Sequence, residues 1–139
     1  MLWAASALEG VVDDDTSRRW REELLGLQRD DGGWRLLDLG DDRWMLRKAE
    51  RLAPVSDAYA TGFAIFVLSQ SGVPASDPRI RTGLSWLRKN QRQSGRWFVR
   101  SPRRDGKHFI SHAATQFAVM AILSCREPEA SSRRSRSPR

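Results

Sequence analysis

The sequence predicts an all-α protein of antiparallel helical hairpins, about five helices in all, and three observations carry that prediction. Gln28 to Trp34 and Gln91 to Trp97 both read Q-x-x-x-G-x-W, each with a leucine, Leu24 or Leu87, four residues before the Gln. A nearly apolar stretch, Ala60 to Leu68, recurs as Ala114 to Leu123, with Leu2 to Leu8 as a shortened third copy. Amphipathic segments lead into each Gln, while strand character is confined to Trp97-Phe98-Val99, too short to form one.

In chain order, Asp13 to Thr16 offers caps for an exposed helix near 16–28, with Trp20, Leu24 and Leu27 on one face. The turn that follows has its own chemistry. A Gln amide can satisfy groups left free at a neighbouring helix end, the Gly permits the turn that ends the helix, and the Trp folds back as an apolar lid. Ser56 or Asp57 then caps a helix near 57–71 that is apolar on all sides and so expected to be buried on most of them. Asp77-Pro78 starts the second exposed helix, near 78–91, with Ile80, Leu84 and Leu87 inward. Ser111 is the expected cap of the last buried helix, near 112–124.

The two Q-x-x-x-G-x-W stretches, with the Ala-Thr-x-Phe-Ala helices beside them, resemble the squalene-hopene cyclase and prenyltransferase superfamily over residues 1–125. That resemblance implies an α/α toroid of inner and outer helices, with Gln28, Gly32, Trp34, Gln91, Gly95 and Trp97 as its structural repeat motif. Rings of that family close with more hairpins than the two and a half found here, so an incomplete ring and a fragment of a longer protein are expected. Residues 1–125 form the expected domain, and 126–139 an Arg/Ser-rich tail too polar to fold.

Composition narrows the function. The net charge of +7 is uneven: residues 88–107 hold eight Lys or Arg against Asp105 alone, while the first 56 residues are net acidic. No nucleic-acid motif accompanies the basic segments, so a solvated face is the expected reading and nucleic acid is not the expected partner. No apolar run reaches the length of a transmembrane segment, and no leader is recognisable, which leaves the cytoplasm as the default. Cys125 stands alone, which offers neither a disulfide nor a paired-thiol metal motif.

Candidate chemistry can be set against what the resemblance implies. Cyclases of that family protonate an alkene with an Asp held in a D-x-D-D-T pattern. Val12-Asp13-Asp14-Asp15-Thr16 lacks its first Asp and opens an exposed helix, so Asp14 and Asp15 are acid candidates that capping explains better. His108 and His112 lie four apart and are the candidate metal pair, although a cap at Ser111 leaves His108 in a loop. No cofactor is implied. Tyr59, Phe63, Phe66, Phe109 and Phe117 are candidate cavity-lining residues, whose π-faces could stabilise a cationic intermediate; plain core packing is the competing explanation.

The expected function is a cyclase-like helical-repeat module with a structural or binding role, not catalytic alone. Its expected partners are a hydrophobic isoprenoid-like ligand, or the missing repeats through self-association. The alternative is the C-terminal segment of a triterpene cyclase whose acid lies upstream.

Overall fold

Asp13 begins the first hairpin by accepting the Thr16 N–H at 2.8 Å and the Thr16 hydroxyl at 2.9 Å. A computed structural model describes residues 2–8, 10–40, 55–101 and 109–126. Within them lie α1 (Leu2–Ala7), α2 (Asp14–Gly26), a 3₁₀ turn (Leu36–Leu39), α3 (Ala58–Gln70), α4 (Pro78–Lys89) and α5 (Phe109–Ser124). The described residues contain five α-helices and no strand, as the periodicity required.

The apolar helices α3 and α5 pack against each other and form the centre of the fold. Small residues allow their close approach: Ala60, Ala64, Ala114, Ala118 and Ala121 are fully or almost fully buried. At Gly62 a Cβ would stand 2.6 Å from the Ala118 backbone nitrogen and 2.8 Å from the Phe117 carbonyl carbon, so only glycine fits the crossing. The amphipathic helix α4 covers α3 from outside with Ile80, Leu84 and Leu87, and Gly83 lets Trp34 and Ile65 pack beneath it. Helix α2 lies more loosely. Trp20, Leu24 and Leu25 pack against the core while none of its residues is fully buried.

Several local expectations need correction. Leu27 was expected on the inward face of α2, but α2 ends at Gly26 and Leu27 is exposed, because the chain already turns there. Neither repeated glycine ends a helix: the helices stop at Gly26 and Lys89, and Gly32 and Gly95 sit further on, at φ of 89° and 78°. Ser111 is not a cap either. Helix α5 begins two residues earlier, at Phe109, and the Ser111 hydroxyl instead accepts the Val99 N–H and donates to the Val99 carbonyl. The tail expected at 126–139 lies, beyond Arg126, outside the described residues.

Candidate functional site

Each Q-x-x-x-G-x-W turn is built by the same set of bonds. The Gln28 and Gln91 amides donate back to the Gly32 and Gly95 carbonyls at 2.8 and 2.9 Å, closing a loop of five residues. Inside that loop the backbone repeats as well, with Gly32 N–H donating to Arg29 and Gly95 N–H to Arg92. The positive φ at each glycine makes this reversal possible.

The tryptophans are held at both ends. Trp34 Nε1 donates to the Leu24 carbonyl and Trp97 Nε1 to the Leu87 carbonyl, each at 2.8 Å, so the leucine four before each Gln provides the acceptor. Their backbone N–H groups donate to Thr61 Oγ1 at 2.9 Å and Thr115 Oγ1 at 3.2 Å, the threonines of the two Ala-Thr-x-Phe-Ala helices. Both rings are almost wholly removed from solvent. Two residues beyond each Trp the pattern holds with different chemistry: Leu36 N–H donates to Asp57 Oδ2, and Val99 N–H to Ser111 Oγ.

One bond breaks the symmetry. Gln28 Nε2 also donates to the Arg79 carbonyl at 2.9 Å, reaching the first turn of α4. Sequence reasoning expected the amide to satisfy a group left free at a helix end. A first-turn carbonyl already accepts within its helix, so the Gln28 amide donates to the second lone pair of the Arg79 carbonyl instead. Gln91 has no such second acceptor among the described residues, and it is exposed. Thr82 of α4 lies over Gly32, where an added Cβ would meet its Cγ2 at 2.5 Å, whereas Gly95 is open.

The carboxylates divide by environment. Burial alone would raise the pKa of Asp31, but bonds from the Ser56 hydroxyl at 2.6 Å and the Gly33 N–H at 3.0 Å hold it below the ordinary value. Burial likewise opposes ionisation of Asp38, and Arg35 and Arg29 overcome it by hydrogen bonds and charge. Asp57 goes the other way. Burial raises its pKa despite the bonds it accepts from Ala60 and Leu36, with the Asp38 charge adding to the rise. It borders a cavity of about 280 Å³ shared with Arg35, Leu36, Trp86, Phe98 and Arg100. Of the two expected caps, Ser56 and Asp57, it is Asp57 that caps α3, and its bond from Leu36 at the start of the 3₁₀ turn left no mark in the sequence.

Of the acid and metal candidates, Asp14, Asp15 and His112 do not line that cavity. Asp14 and Asp15 lie exposed in the first turn of α2, and Asp15 pairs with Arg18 at 3.1 Å. His112 is exposed in the first turn of α5, and its suggested partner His108 lies outside the described residues. No group of three metal-ligating side chains occurs among the described residues. Cys125 is partly buried at the end of α5, where burial raises its thiol pKa.

Four of the five aromatic candidates form one cluster on α3 and α5. Phe117 meets Tyr59 and Phe63 edge-on, with centroids 5.5 and 5.1 Å apart, and Phe66 at 6.3 Å. Tyr59 and Phe63 are stacked at 6.3 Å, and Trp3 of α1 extends the row onto Phe66 at 5.5 Å. Tyr59, Phe63 and Phe117 remain half-buried. Phe109 does not join them: it opens α5, is 68% exposed and makes no ring contact among the described residues.

Paired inner helices, amphipathic outer helices and tryptophan turns bonded to both define an α/α helical-repeat protein with an aromatic inner row. Residues 4–136 match the squalene-hopene cyclase C-terminal domain, and the chain belongs to that family. It is 33% identical over 93 residues to a squalene-hopene cyclase of Schizosaccharomyces japonicus, an overlap covering 62% of this chain and 13% of that protein. Over 105 residues it is 29% identical to the squalene-hopene cyclase of Zymomonas mobilis, covering 69% of this chain and 16% of the relative. A third, from Bradyrhizobium diazoefficiens, is 31% identical over 102 residues, covering 66% and 15%. The chain thus spans 13–16% of the length of these relatives. No solved structure matches the chain at a significant level.

Proposed function

We propose that this chain is a cyclase-like repeat module that scaffolds or binds a hydrophobic isoprenoid-like ligand and does not catalyse cyclisation alone. The observation that carries this reading is the aromatic row on the inner helices, in which Tyr59, Phe63 and Phe117 are half-buried beside a buried Phe66. These three half-buried rings have satisfied their contacts within the row yet keep faces accessible to an apolar guest. The repeated turns support the scaffold part, because each bonds a Trp to an outer and an inner helix at once.

An acid strong enough to protonate an alkene needs a site from which water is excluded and neighbours that sharpen its acidity. Asp14 and Asp15 are open to solvent on the outer helix α2, which favours a capping role for that run. Asp57 is more buried, but both of its oxygens accept backbone N–H bonds, and burial makes it a weaker acid.

The second reading is the C-terminal segment of a triterpene cyclase whose acid lies elsewhere in a longer protein. It is favoured by the relatives, squalene-hopene cyclases of which this chain spans 13–16%. Tryptophan fluorescence titrated with squalene tests the first reading: saturable quenching that weakens in Phe63→Ala and Phe117→Ala is expected, and quenching identical in both variants would overturn it. Cyclised product formed by the chain alone would overturn its non-catalytic part.

A further inference from the structure

The two repeated turns share most of their hydrogen bonds and differ in charge. In the first, Arg29 and Arg35 are both spent on Asp38, and Asp31 on Ser56 and Gly33. The second lies within residues 78–101, which hold seven Lys or Arg and no Asp or Glu. Among the described residues, Arg88, Lys89, Arg92 and Arg96 take part in no ion pair.

Part of this charge converges on a cavity. Arg92, Ser94, Arg96 and His112 line a space of about 240 Å³ together with Phe98 and Ser111. The Ser111 hydroxyl is used by Val99, whereas the side chains of Ser94, Arg96 and His112 have no hydrogen-bond partner among the described residues. Arg92 sits 4.6 Å above the centre of the Phe98 ring, an arrangement that fixes the guanidinium plane and leaves its N–H edges to a ligand. His112 lies in the first turn of the sixteen-residue helix α5, whose dipole adds positive potential there.

Among the described residues no carboxylate lines this cavity; cations so gathered repel one another, and an anion that bridges them relieves the repulsion. The planar forks of two arginines suit tetrahedral oxyanions, which they can bind bidentately. We propose that this cavity binds a phosphoryl anion, a phosphate or diphosphate group, borne by a free ligand or by a lipid headgroup. The contrast with the first turn makes the site particular to the second: the same backbone there carries its own carboxylates.

Calorimetric titration of the chain with inorganic phosphate and diphosphate tests the site, and co-sedimentation with vesicles separates the two sources. Saturable one-site binding of diphosphate is expected, weakened about tenfold or more by Arg92→Ala or Arg96→Ala and unchanged by Arg18→Ala, which removes equal charge on α2. Pelleting with vesicles containing phosphatidic acid, but not with phosphatidylcholine alone, and sensitive to the same two variants, assigns the group to a headgroup. Binding of diphosphate without pelleting assigns it to a free ligand. All three positions are exposed, so circular dichroism should show unaltered folding. Absence of saturable binding by both probes, or equal weakening in Arg18→Ala, would overturn the proposal. So would tighter binding of an oligonucleotide lost equally through Arg79→Ala, because that describes an extended polyanion surface.

Discussion

Trp97 is almost completely buried and bonded at both ends, through its indole to Leu87 and its backbone to Thr115. Truncation would empty a large volume and remove the indole bond to the Leu87 carbonyl at the end of α4, which would keep only the Asn90 N–H. Trp97→Ala is therefore expected to cost about 3–5 kcal/mol in urea unfolding, and a loss under about 1 kcal/mol would remove the turn from the structural account. The carboxylates supply a second expectation. Asp31 and Asp38 have depressed pKa values, so the stability they contribute is present above the ordinary value of 3.8 and is lost as pH falls through their folded values. Asp57 has the opposite sign: its raised pKa means that its protonation favours the fold as pH first falls towards 3.8. Acid unfolding measured from about pH 5 to about pH 2 should thus be shallower in the Asp31→Asn, Asp38→Asn double variant than in the parent chain. Equal slopes would show that neither carboxylate is coupled to folding.

Between helices the decisive contacts are close backbone approaches and the bonds that span turns. A methyl at Gly62 would press on the backbone of α5, which cannot move aside as a side chain can. Gly62→Ala should therefore destabilise by about 1–3 kcal/mol despite its better helix propensity, measured by chemical unfolding; a neutral result would mean that α3 and α5 are less closely docked. The two glutamines differ in the same manner. Gln28→Ala removes bonds to both Gly32 and Arg79, and Gln91→Ala only the bond to Gly95. The first should cost about 1 kcal/mol more than the second. Equal losses would indicate that the bridge to α4 adds nothing to stability.

For the molecule as a whole, membership of the cyclase family and the exposure of Asp14 and Asp15 lead to one expectation about chemistry. Purified chain incubated with squalene should give no cyclised product by mass spectrometry. Product that disappears in Asp14→Asn or Asp15→Asn would reinstate those residues as the acid.

Local patterning by itself determined the all-α class, the alternation of apolar and amphipathic helices, and the equivalence of the two Q-x-x-x-G-x-W turns. These follow from period, capping and turn chemistry, which act over a few residues. Helix α4, bounded by Asp77-Pro78, was expected near 78–91 and ends at Lys89. Longer-range partners were not legible. Which acceptor each Gln reaches, that Thr61 and Thr115 receive the tryptophan N–H groups, and that Phe109 stays in solvent while Phe117 joins the aromatic row all depend on how helices are juxtaposed. The same holds for charge. Composition shows the excess of arginine, but only the tertiary structure decides that the first turn neutralises its cations on Asp38 while the second leaves Arg92 and Arg96 beside a cavity. Electrostatic pairing is set by distance in space, and Arg29 and Arg35, six residues apart in the chain, both pair with Asp38 only because the folded turn brings all three together.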